Sequence, residues 1–124
     1  MRELATVLQA ELDVVRELLT VCRQEQDALV ADNITAIREA AGRKGELARR
    51  LAVLEEERQQ VMAGQPGTQE IEKLRDLLRQ AVRELQEANE TNRLLARQSL
   101  AYVQKMLALL MPTVPAPVVM DRLV

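Results

Sequence analysis

The sequence predicts an all-α protein, an elongated antiparallel three-helix bundle of coiled-coil type with a long C-terminal helix and a short proline-containing tail. Three observations carry this reading. Apolar residues recur at three- and four-residue spacing along most of the chain, the signature of a helix face. No stretch alternates apolar and polar residues as a half-buried strand would. Before the tail, only two segments carry helix-stopping chemistry, ADNIT at 31–35 and GQPGT at 64–68. The expected helices therefore cover about residues 2–31, 33–63 and 68–111, forming one domain over 1–111. Asp32 or Asn33 can cap the second helix, and Thr68 the third.

The first helix carries a broad apolar face running from Leu4, Val7 and Leu8 to Leu19, Val21 and Cys22. A helix with a single neighbour needs a stripe of little more than ~100°. This face is wider, so the helix is expected to touch two others. The second helix has a narrower stripe of Ile34, Ile37, Ala41, Leu47, Ala48, Leu51, Leu54 and Val61. Charged residues interrupt both stripes: Glu11 and Glu25 on the first, Lys44 and Arg58 on the second.

Those interruptions predict a register. A short turn makes the first two helices antiparallel, so facing residues have position numbers of nearly constant sum. Glu25 with Lys44 and Glu11 with Arg58 both give 69. The same value sets Leu18 against Leu51 and Leu8 against Val61. Two ion pairs are expected to select this alignment, although exposed pairs of this kind are worth only about 0–1 kcal/mol. The alternative is that each long side chain snorkels to water unpaired. Gly42 and Gly45 lie inside the second helix and allow either a close helix approach or a bend.

The third helix holds an unbroken heptad seam: Ile71, Leu74, Leu78, Ala81, Leu85, Ala88, Asn92, Leu95, Ser99, Tyr102, Met106 and Leu109. Asn92 on the seam and Asn89 beside it are read as register-setting polar residues, with direct partner contact as the alternative. At ~1.5 Å per residue this helix is roughly 66 Å long against roughly 45 Å for the other two. Folded back at 64–68, it passes the first turn near residue 100. Beyond that point lies LAYVQKMLALLM, in which ten of twelve residues are apolar. Leu100, Tyr102, Val103, Met106, Leu107, Leu109, Leu110 and Met111 point nearly all round the axis, and such a helix needs cover on every side. The expectation is a partner-binding surface; the alternative is ordinary core. Pro112, Pro115 and Pro117 make 112–124 an extended tail.

Composition narrows the function classes. Histidine is absent, which removes the commonest general base and metal ligand. No cofactor site, metal site or enzymatic activity is expected. A net charge of −2, with both signs mixed, offers no general attraction to nucleic acid. The single cysteine, Cys22, lies on an apolar face and is read as a small buried hydrophobe. No apolar stretch approaches the ~20 residues of a membrane span, and the acidic N-terminus does not read as a signal peptide. A soluble, cytoplasmic protein is expected.

Three segments in order resemble the FlgN-type flagellar export chaperones of the type III secretion system. They are EQDALVADNITAI at 25–37; Lys44 followed by Leu47, Leu51, Leu54 and Arg58; and NETN at 89–92 followed by Leu94 and Leu95. The resemblance covers most of residues 4–111. It implies a chaperone that binds hook–filament junction proteins of the FlgK and FlgL type through its C-terminal region. It further implies that the chaperone keeps them export-competent and delivers them to the export apparatus. The competing expectation is a structural coiled-coil adaptor or self-assembling bundle, in which a client-free homodimer covers the same residues.

Overall fold

The computed structural model describes residues 3–62 and 67–110. The expected tail at 112–124 and the expected site residue Met111 lie outside them. Three helices make up the described residues: α1 (Leu4–Val30), α2 (Ile34–Met62) and α3 (Gln69–Leu110).

Local chemistry sets the ends of these helices. The C-terminus of α1 closes as a Schellman turn. Asn33 N–H donates to the Ala28 carbonyl at 2.9 Å, and Asp32 N–H donates to the Leu29 carbonyl at 3.3 Å. The motif requires a left-handed residue just after the C-cap, and Asp32 adopts φ 53° there. Aspartate tolerates that conformation better than most side chains do. Asn33 then caps α2, its Oδ1 accepting from Ala36 N–H at 3.1 Å. Thr68 caps α3 in the same way, with Oγ1 accepting from Ile71 N–H at 3.2 Å.

α1 is the spine of the molecule. Twelve of its residues are buried, against three in α2 and three in α3. Its broad face takes α2 on one flank and α3 on the other, while α2 and α3 approach each other closely at few points. Apart from Cys22, Glu11 and Asn92, the buried residues are aliphatic. Leu4 and Leu8 meet Val61 and Ile71 at one end, Leu12 and Val15 meet Ala81 in the middle, and Val14, Leu18 and Val21 meet Ala40 and Leu47. Burying one such large side chain is worth about 1.5–3 kcal/mol. The α1 face therefore supplies most of the stabilisation.

The stripe on α2 differs from the expected one. Ile34, Ala41 and Ala48 are exposed, and Ala40 is buried in their place. α2 packs chiefly on one neighbour, so its outer rows face solvent. Gly42 and Gly45 permit no close helix approach. A methyl group on Gly42 would meet nothing within 4 Å, and one on Gly45 would meet only the Arg49 side chain at 3.6 Å. The conformational cost of Gly42 is thus uncompensated within the described residues. Gly42→Ala should raise stability by about 0.5–1 kcal/mol, seen as a higher urea midpoint at unchanged slope.

Candidate functional site

The α3 seam passes from dry to wet along its length. Ile71, Ala81 and Asn92 are buried, and the seam residues between and just after them, through Leu95 and Ser99, are at least half-buried. From Tyr102 the same seam is open. Tyr102 is 66% exposed, Met106 38% and Leu109 72%. Off the seam, Leu110 is 72% exposed and Val103 42%. Leu100 and Leu107 are half-buried.

The dry-to-wet boundary falls where α1 ends. Cys22 meets Asn89 and Glu25 meets Asn92, so α3 runs parallel to α1 at an offset of 67 residues. At that offset Val30, the last residue of α1, is level with residue 97. Residues 98–110 project beyond the hairpin by roughly 20 Å at ~1.5 Å per residue. The hairpin tip extends the apolar surface in a way the sequence analysis missed. Val30 and Ile34, on either side of the turn, are 70% and 66% exposed. The missed signal was their position beside the 31–33 turn, where no second helix remains to cover them.

A polar junction holds the offset. Asn92 is buried, and its Nδ2 donates both to the Cys22 carbonyl at 2.7 Å and to Glu25 Oε1 at 2.8 Å. Lys44 Nζ donates to the same Glu25 oxygen at 3.1 Å. One carboxylate therefore ties α1 to α2 and to α3. Next to it, the Cys22 thiol donates to Asn89 Oδ1 at 3.1 Å. Burial pushes the Cys22 thiol up from its ordinary range, so at neutral pH it keeps the proton this bond needs. Asn89 and Asn92 thus bond within the bundle, on the face turned toward α1.

The FlgN protein family model matches residues 1–115. The chain belongs to the FlgN family. FlgN proteins are flagellar export chaperones, and that general role is the chain's own. No curated protein and no solved structure matches it. Among the described residues of this FlgN chain, no helix is long and apolar enough to cross a membrane.

The second acid–base pair of this FlgN protein lies nearer the open end of the hairpin. Arg58 Nε approaches Glu11 Oε1 at 2.9 Å, and the Glu11 side chain is only 3% exposed. The N–H does not point along this contact, and neither atom has a hydrogen-bond partner among the described residues. The opposite flank carries an exposed pair, Glu17 with Arg43 at 3.1 Å, whose position numbers sum to 60 rather than 69. Side-chain rows on each helix are three or four residues apart, so the two flanks of an antiparallel pair mesh at different sums.

Burial raises the Glu11 carboxyl above its ordinary value of 4.5, outweighing the attraction of Arg58, and Glu55 nearby pushes the same way. An acid whose pKa rises on folding costs stability while it is charged. That cost is relieved as pH falls through the folded pKa toward 4.5. Against Glu11→Gln, which cannot titrate, the native chain should gain relative thermal stability between pH 7 and pH 5. If the native chain instead loses ground to the variant over this range, Arg58 dominates and the direction is reversed.

Proposed function

We propose that this FlgN chain binds hook–filament junction proteins of the FlgK and FlgL type through Leu100, Tyr102, Val103, Met106, Leu107, Leu109, Leu110 and Met111. In this reading it masks the clients' helical ends in the cytoplasm and hands them to the export apparatus. The observation that supports this is the α3 seam, which keeps its heptad spacing past the end of α1 while its side chains become exposed. A surface that is already helical and apolar suits a second amphipathic helix laid along it. Met106 adds a side chain that adapts to varied partners.

Magnitudes favour a usable complex. Full burial of one large aliphatic side chain contributes about 1.5–3 kcal/mol, and several such residues are open on the overhang. Association and ordering together cost several kcal/mol, so the surplus supports affinity without requiring every residue. Val30 and Ile34 at the hairpin tip extend the same surface beside the start of the overhang.

Leu109 and Leu110 are the most exposed of the described ones, so their removal tests the surface with least risk to the fold. Leu109→Ser with Leu110→Ser should lower client capture at least tenfold while shifting the melting temperature little. Leu18→Ser, in the core, should do the reverse and unfold the bundle. The checks are thermal unfolding and pull-down of co-expressed junction proteins. If the double variant unfolds as Leu18→Ser does, the stretch is core and the proposal fails. If it folds and captures client normally, the client lies elsewhere.

A further inference from the structure

A concavity lined by all three helices lies away from the overhang. α2 and α3 both pack on α1 without closing on each other, and the trough between them encloses about 520 Å³. Its floor is apolar: Leu8 and Val15 from α1, Leu51 from α2, and Leu78 and Val82 from α3. Along one wall run Arg75, Arg79 and Arg83, three guanidinium groups at four-residue spacing on one face of α3. They span about 12 Å at ~1.5 Å per residue, a little over two helical turns.

The charge of this wall is weakly held inside the molecule. Arg75 pairs with Glu72 at 2.8 Å and Arg79 with Asp76 at 3.1 Å, each one turn back along α3 with an exposed acid. Such pairs are worth little and break readily. The floor also contains the Glu11–Arg58 contact, whose facing oxygen and nitrogen make no aligned hydrogen bond. The trough thus combines an apolar floor, a row of guanidinium groups along one rim and incompletely satisfied polar atoms at its base.

We infer that the trough between α2 and α3 docks an amphipathic helix of a partner protein, with apolar residues facing the floor and acidic residues at four-residue spacing facing Arg75, Arg79 and Arg83. The spacing of the three arginines is that of one side of a helix. A carboxylate row on a second helix laid alongside therefore meets them turn for turn. Arginine forks bind carboxylates in two-pronged fashion, giving orientation as well as attraction. The overall charge of −2 is no obstacle, because the rim is a local cationic row on a mixed surface. The site is separate from the proposed client surface: residue 83 lies some 15 residues, roughly 22 Å, before the overhang begins.

The test uses two synthetic helical peptides of roughly 18 residues, five turns at ~3.6 residues each. They share one leucine stripe, and one carries Glu along its flank where the other carries Lys. Each is titrated calorimetrically into the full chain at low and high salt. The Glu-flanked peptide should bind at least tenfold more tightly, and its advantage should shrink at high salt, where screening shortens the reach of charge to about 3 Å near 1 M. In Arg79→Glu with Arg83→Glu, both exposed positions, the preference should reverse toward the Lys-flanked peptide. That gain cannot come from misfolding. Leu109→Ser with Leu110→Ser should leave the preference intact. Equal binding of the two peptides, or an unreversed preference in the arginine variant, overturns the inference. Loss of binding in the leucine variant alone also overturns it, because the peptide would then be on the overhang. Loss of self-association in the arginine variant overturns it as well, because the occupant would be a second copy.

Discussion

The carboxylate of Glu25 is the point on which the arrangement turns. It accepts from Lys44 of α2 and Asn92 of α3, and Asn92 also donates to the Cys22 carbonyl. Apart from the buried Glu11, the remainder of the core is Leu, Val, Ile and Ala, which pack almost as well after a shift of one turn. A shift of α3 by four residues would set Ala88 or Ala96 against Glu25. Asn92 would then lose both acceptors. A buried polar group left unpaired costs about 1–3 kcal/mol, enough to decide between otherwise similar aliphatic packings. The native alignment itself tolerates one such defect, because Asn92 Oδ1 has no partner among the described residues.

Length and register together create the exposed apolar end. α3 has 42 residues and α1 has 27, and the junction fixes where the surplus appears. Were α3 slipped toward its own N-terminus, the overhang would shorten. As built, the last three turns or so of α3 gain no cover from α1. Under the proposed function, this arrangement leaves a bundle stable without client and a helical surface for the client to cover.

Much of this was legible in the sequence, for identifiable reasons. The helices were readable because aliphatic spacing is regular and the stops at 31–35 and 64–68 are strong. The Glu25–Lys44 and Glu11–Arg58 pairs were readable because charged residues inside an apolar stripe have few places to go. The end of cover near residue 100 followed from helix lengths alone. The centre of the α2 stripe was not legible. Periodicity identifies a face, but which of its rows is buried depends on where the neighbouring helix lies. Ile34, Ala41 and Ala48 fall on the outer rows, whereas Ala40 meets Val14, Leu18 and Val21. The thiol bond from Cys22 to Asn89 was equally hidden, since it depends on the α1–α3 offset. The trough above Leu8 and Val15 escaped notice because it exists only if α2 and α3 stay apart.

The decisive measurement is hydrogen exchange of the client-free protein, diluted until its mass is that of one chain and read amide by amide along α3. Protection should be high from about residue 74 to 96, where α1 covers the seam, and should fall steeply across 98–110. Added client should restore protection over 98–110 and change the first stretch little. Protection over 98–110 in the free monomer equal to that of the bundle would contradict the account. It would mean that these side chains are already covered and that the register of the Glu25 junction leaves no surface to offer.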